Sequence, residues 1–191
     1  MAQVCIVNKK WIASFLTLLL FSSSQIFAST SLTDEPEGGV YNFVTYYRIS
    51  IDAPVSTVWH QIVDLPSWMY DFELSNVSGE PGKEGEVLRL YEGQDFQIQI
   101  IKIVPNQLLL VANLPLNFKG ELSQGIGAFS LHETSPTQTT VDLIMRRRYT
   151  WMGEGNNPIK ATRQSKEFVD GTNAMWRDKF LARLKSLSEA K

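Results

Sequence analysis

The chain has 191 residues, of which 43% are hydrophobic and 20% charged, and its formal net charge is −2. That size and balance fit one globular domain. They exclude a general nucleic-acid binder, which carries a strong positive excess, and a single cysteine, Cys5, excludes a disulfide-stapled fold.

The chain opens with Lys9 and Lys10, then the uncharged apolar run Trp11 to Phe21, then a stretch of small and polar residues ending near Ala28. This order predicts a secretory signal peptide over 1–28, with Ala28 last before cleavage and Ile26 at the preceding small-residue position. An uncleaved anchor is the alternative, although the run is shorter than the roughly 20 residues that span a bilayer. Cleavage takes the net charge to about −4 and removes Cys5, leaving no thiol nucleophile and no thiolate ligand. No cysteine follows the run to carry a lipid. The expected location is the bacterial periplasm. Residues 29–39, acidic and turn-rich, are predicted to be a flexible lead-in to a single domain over 40–190.

From Tyr41 to Ile51 aromatic and branched residues alternate with the rest, the pattern of a half-buried strand. Pro54 then suits a helix start, with Asp52 upstream as a candidate cap. Val55, Val58, Trp59 and Ile62 make one apolar face. Asp64 to Phe72 restarts at Pro66 as a second short helix. Strands follow over 73–79, 85–93, 95–104 and 108–116, the last interrupted by Pro115. Two more, around Gly125–Thr134 and Thr139–Thr150, are joined by a tight turn. Residues 159–190 read as a long amphipathic helix carrying Phe168, Val169, Thr172, Met175, Trp176, Phe180, Leu184 and Leu187. Gly171 within it costs about 1 kcal/mol relative to Ala, accepted either for a close approach or as simple tolerance.

The order predicts an α+β fold: a curved antiparallel sheet of about six to seven strands, two short helices after the first strand, and a long C-terminal helix packed on the sheet. "ISIDAPVSTVWHQIVDLPSWMYDF", with Ala53-Pro54, Val58-Trp59, Asp64 and Trp68, resembles the opening of START-like (SRPBCC, helix-grip) domains. "IVPNQLLLVA", "GAFSLHET" and "TTVDLIMRR" resemble the middle and end of the same superfamily. The resemblance spans about Tyr41 to Leu187. It implies a sheet gripping the C-terminal helix around an apolar cavity. Relatives of this kind bind lipids, sterols, polyketides, isoprenoid quinones or plant hormones, and some are cyclases or hydratases. No catalytic motif is shared, and the fold alone does not decide function.

The chain has two histidines, His60 and His132, far apart and with no carboxylate at ligand spacing. It has no G-x-S-x-G and no Walker loop, and "GIG" at 125–127 opens a strand rather than a helix. No metal and no cofactor is expected. Asp64, Asp71 and Glu73 read either as solvated helix ends or as a pocket acid.

Aromatic residues are the stronger signal. Trp59, Trp68, Tyr70, Phe72, Trp151 and Trp176 lie on elements expected around the cavity, where they serve as core packing or as its lining. In "IMRRRYTWMG" the strand period puts Val141, Leu143, Met145, Arg147 and Tyr149 on one face, and Asp142, Ile144, Arg146 and Arg148 on the other. Arg146 and Arg148 are then expected in water, paired across strands with Glu or Asp. Arg147 continues the apolar face and needs a polar partner, either an internal carboxylate or the head of a ligand. The expected ligand-binding set is Arg147 and Tyr149 on the strand, and Trp151 and Met152 at its lip. Trp68, Tyr70 and Phe96 join them from the front of the domain, and Phe168, Thr172, Met175 and Trp176 from the last helix. The expected function is an exported carrier or sensor of an apolar or amphipathic molecule such as a lipid, isoprenoid or polyketide-like compound. The alternative is an aromatic cyclase or hydratase using Arg147, Tyr149 or Tyr47. No nucleic acid and no membrane span after cleavage is expected, and no protein partner is specified.

Overall fold

The computed structural model describes residues 27–32, 40–91, 96–114, 116–118, 121–151 and 170–190. Residues 1–26 of the signal peptide predicted over 1–28, residues 33–39 of the predicted lead-in, Met152, Phe168 and the helical prediction over 159–169 lie outside the described residues. In chain order the elements are β1 (Phe27–Leu32), β2 (Val40–Ile51), α1 (Val55–Val63), α2 (Leu65–Trp68) and a 3-10 turn (Tyr70–Phe72). Then come β3 (Ser75–Ser78), β4 (Val87–Arg89), β5 (Gln97–Val104), β6 (Leu108–Asn113), β7 (Leu116–Phe118), β8 (Glu121–Ser135) and β9 (Gln138–Trp151). The last helix, α3, is helical over 170–189, with a π-helical turn at Trp176–Leu181 leading into Ala182–Glu189.

The nine strands of the described residues belong to one antiparallel sheet in the order β1-β2-β9-β8-β6-β5-β4-β3, with β7 on β8. This is the helix-grip arrangement: a curved sheet with α3 laid across it. Register shifts at Ile100/Lys102 and Glu133/Ser135 bend the strands, as bulges do. The seven expected strands are joined by two short ones. β7 lies just after Pro115, and β1 falls in the stretch read as signal end and lead-in. Ser29 to Leu32 pair with Tyr46 to Phe43, so the start of the lead-in is in the sheet.

The period-two reading of β2 and β9 holds. Phe43, Thr45, Tyr47, Ile49 and Ile51 are buried on β2, and Val141, Leu143, Met145 and Arg147 on β9. β8 and β9 form a hairpin closed at Ser135 and Gln138, with Pro136-Thr137 as its loop. α1 begins after Pro54, which occupies the cap position, with no side-chain cap bond. Asp52 is therefore not the cap. Its carboxylate accepts from Gln138 Nε2 at 2.9 Å, tying α1 to the hairpin turn.

α3 closes the concave face. Phe180, Leu181 and Leu184 are fully buried in one cluster with Tyr47, Ile49, Trp68, Leu109, Phe129 and Leu143. Each such side chain contributes roughly 1.5–3 kcal/mol through burial. Trp176, Phe180, Leu184 and Ser188 are spaced four apart, a longer repeat than the roughly 3.6 residues of an α-turn. The wider π turn takes up that drift, so one face meets the sheet along the helix. Ser188 is buried as a result, while Leu187, expected on that face, is 36% exposed.

Candidate functional site

The candidate site is built where β2, β8 and β9 meet the start of α3. Along β9 the inward row runs Val141, Leu143, Met145, Arg147, so a guanidinium ends an apolar stripe at 8% exposure. Its cross-strand neighbours are Phe43 on β2 and Gly125 on β8. Arg147 Nη2 donates to Asn173 Oδ1 at 2.8 Å and to Thr45 Oγ1 at 3.3 Å. Tyr47, wholly buried, donates its hydroxyl to the same Asn173 oxygen at 2.8 Å, and Thr45 Oγ1 lies 3.3 Å from it. Arginine can only donate, so the amide presents its oxygen. The guanidinium nitrogen Nη2 thus reaches two neutral groups.

Burial pushes the Tyr47 hydroxyl up to about 12, against the opposing pull of the Arg147 and Arg177 charges. At neutral pH it is a protonated donor. Gly125 and Gly127 put no side chain on the β8 positions facing Arg147 and Met145. A Cβ at Gly125 would stand 3.2 Å from Asn113 Nδ2 and 3.4 Å from Arg147 Cγ, and one at Gly127 3.3 Å from Val111 Cγ2. The bare strand therefore lets the arginine stem and the Asn113 amide converge over it. Thr45, Tyr47, Arg147, Asn173 and Asn113 make a polar end to an otherwise apolar concave face.

The other end is aromatic. Trp68 is fully buried and meets Phe129 and Trp176 edge-on, with ring centroids 5.8 and 6.2 Å apart. Trp176 meets Phe180 edge-on at 5.2 Å, and Phe72 packs on Phe180 and Tyr91. Met175 and Phe96 are partly buried against this cluster, and Thr172 is half-buried. Tyr70 is elsewhere: it is 57% exposed, with the Arg183 guanidinium 3.5 Å from its ring centre. Arg183 also donates to the Trp68 carbonyl and pairs with Asp71, so Tyr70 and Asp71 clamp α3 from outside. Tyr149 and Trp151 continue the β9 backbone beyond Arg147.

The other two arginines of the row 146–148 lie on the convex face. Arg146 and Arg148 are exposed. Their register neighbours are the neutral pairs Val44 and Ile126, and Asn42 and Gln124, not the acids expected across the strands. An acid on that face, Asp142, accepts from Arg48 Nε and Nη2 at 2.7 and 2.9 Å and from the Tyr46 hydroxyl at 2.6 Å. Those bonds, Arg48 foremost, hold its carboxyl below the usual range.

A separate open cleft of about 560 Å³ lies at the far end of the domain, lined by Asp52, Thr57, Gln138, Ser188 and Glu189 among others. Its acids are engaged by backbone Asp52 N–H, Gln138 and Lys185, which marks it as the seam between α1, α3 and the β8–β9 turn. Among the described residues no helix is long and apolar enough to cross a membrane.

Sequence reasoning put Arg147 on the inward face of its strand and an apolar face on the last helix, and it did not point to Asn173, Thr45, Asn113 or the role of the glycines. The alternating "GIG" before "AFSL" was the one available signal for the last.

No family model matches the chain, and no curated protein matches it. Solved structures do. The aromatase/cyclase Zhui from Streptomyces sp. R1128 is 13% identical with a TM-score of 0.56, over 76% of this chain and 93% of that one. Ara h 8.0201 is 14% identical with a TM-score of 0.50, over 78% of this chain and 98% of that one. These likenesses are of fold, and they agree with the helix-grip architecture that the START-like resemblance implies.

Proposed function

We propose that the protein is an exported, non-enzymatic carrier or sensor. It holds an apolar or amphipathic small molecule, of the lipid, isoprenoid or polyketide-like kind, between the concave face of the sheet and α3. The observation that supports this is Arg147: a charge buried at the end of an apolar stripe, beside two strand positions with no side chain. A core built only for stability gains little from a buried guanidinium, whose desolvation offsets its contacts. A site for a molecule with one polar end needs such a group. The export part of the reading rests on the basic, apolar and small-residue order of residues 9–28, with the bacterial periplasm as the proposed location.

The test is native mass spectrometry of protein purified from the periplasm of an expressing cell, followed by organic extraction. A bound species of lipid-like mass is expected. A chain that carries nothing, and takes up nothing from a total lipid extract, sinks the proposal.

One observation favours a second reading, an aromatic cyclase or hydratase. Tyr47 and Arg147 meet on one acceptor, a protonated phenol beside a cation, as a proton donor and an oxyanion stabiliser would. The two readings separate on the fate of the bound molecule. A carrier releases it with unchanged mass, whereas an enzyme converts it, and Arg147→Ala then abolishes turnover while the fold survives.

A further inference from the structure

An antiparallel sheet with one packed face ordinarily turns polar residues to water on the other. The convex face of this sheet departs from that rule over β8 and β9. Ile126 is 52% exposed and Ile144 is 49% exposed. In register, Ile126 faces Arg146 and Ala128 faces Ile144, so the two isoleucines are diagonal neighbours on one surface, roughly 7–8 Å apart. Their rows run on into β6 as Ala112 and Leu110, both half-buried. The result is an aliphatic strip on the outer face, where packing of the core does not require one.

Charge on this face is one-sided. Asp142 is matched by Arg48. Arg146 and Arg148 stand two residues apart on β9, both exposed, and among the described residues neither forms a salt bridge. The whole chain has a formal net charge of −2. Two unmatched cations beside exposed aliphatics are therefore a local excess of the opposite sign, and the partner they complement is anionic and has an apolar layer next to its charge.

We propose that this strip docks the protein on an anionic lipid bilayer, with Ile126 and Ile144 at the acyl boundary and the guanidinium groups of Arg146 and Arg148 among the phosphates. Arginine suits that place: its stem lies along apolar surface while its head stays at the polar level and forks onto phosphate oxygens. The docking is shallow, because the sheet keeps its backbone hydrogen bonds and offers only side-chain tips. A soluble polyanion would use the arginines and leave the isoleucines without a role. The proposal does not depend on what the concave face holds, so its failure leaves the carrier reading standing.

The test is cosedimentation of the full processed chain with vesicles of phosphatidylcholine alone, and of phosphatidylcholine mixed with phosphatidylglycerol. The mixed vesicles should bind it much the better, and added salt should weaken that binding. Arg146→Gln and Arg148→Gln should each lower the partition about fivefold, the scale of one cation at an anionic surface. Ile126→Ser combined with Ile144→Ser should lower it about tenfold through lost apolar contact. Lys179→Gln, which removes the same charge from an exposed position on α3, across the sheet, should leave it unchanged. Equal binding to both vesicles overturns the proposal, as does a Lys179→Gln loss as large as that of Arg146→Gln. So does an arginine or an isoleucine variant that binds as the unaltered protein does. Absence of binding to either vesicle overturns it too, and dimers in light scattering that Ile144→Ser dissolves would then identify the strip as an interface between copies. Thermal melts accompany each variant, and if the double isoleucine variant does not fold, Arg146→Gln and Arg148→Gln decide.

Discussion

Three arginines stand in a row from Arg146 to Arg148, and the strand pleat gives them different chemistry. Arg146 and Arg148 lie in water, while Arg147 is buried. That division follows from period two alone, so it was legible in the sequence. Its partner was not: Asn173 sits 26 positions away on another element, and nothing local distinguishes it from a polar residue at the border of a helix face. When Arg147 is replaced by an apolar side chain of similar length, Asn173 Oδ1 still accepts from Tyr47 and lies 3.3 Å from Thr45 Oγ1, so that oxygen stays satisfied. We expect Arg147→Met to melt at or above the temperature of the unaltered protein. A loss above about 3 kcal/mol would instead mark Arg147 as the partner of a buried charge. On the convex face Asp142 behaves oppositely. Its carboxyl is held below the ordinary range by Arg48 first, then by the Tyr46 hydroxyl. The folded value lies under the unfolded one, so this contribution is complete at neutral pH and is lost as pH falls below about 4. Asp142→Asn should lower the melting temperature at neutral pH by a few degrees and remove part of the acid-induced decline. Parallel decline of both proteins from neutral to acid pH would show that Asp142 is not the group responsible.

Among the elements, the strands were legible and the helix phase was not. β2, β5, β8 and β9 carry clean alternation, which the sheet obeys because one face is packed. α3 carries apolar residues at threes and fours, which any α-helix explains, yet Trp176, Phe180, Leu184 and Ser188 face inward four apart through a π turn. A π turn has no composition of its own and arises because both halves of α3 must meet the same curved sheet, so no local pattern announces it. The glycines show the same contrast. On β8, Gly125 and Gly127 have neighbours that leave only 3.2 and 3.3 Å for an added Cβ, which reveals a packing role. Gly171 on α3 has nothing within 4 Å of an added Cβ. Of its two sequence readings, tolerance is therefore the one the geometry supports. Gly171→Ala should then stabilise the protein by about 0.5–1 kcal/mol, the helix-propensity difference, read as a higher melting temperature. A lower one would mean that α3 needs the glycine's backbone freedom where it enters the sheet.

At the scale of the whole molecule, β1 and β3 end the strand order of the sheet among the described residues. β3 is four residues long and exposed throughout, the kind of short edge that resists pairing with another chain. The opposite side is more exposed to that hazard. β2 is 12 residues long and pairs along its whole length with β9. Its other side is covered by β1 from Phe43 to Arg48. Processing after Ala28, as the export proposal requires, takes Phe27 and Ala28 from that strand and leaves Ser29 to Leu32 in register with Tyr46 to Phe43. The mature protein would thus keep the part of β1 that lies beside Thr45, next to the Arg147 group. Intact mass of the exported protein should begin at Ser29. A chain shortened further, to begin after Leu32, would present the outer N–H and C=O groups of β2 to solvent as a long edge. Size-exclusion chromatography with light scattering should then show self-association that the Ser29 form lacks, with a lower melting temperature. A shortened chain that stays monomeric and melts unchanged would show that β1 neither guards this edge nor supports the site beneath it.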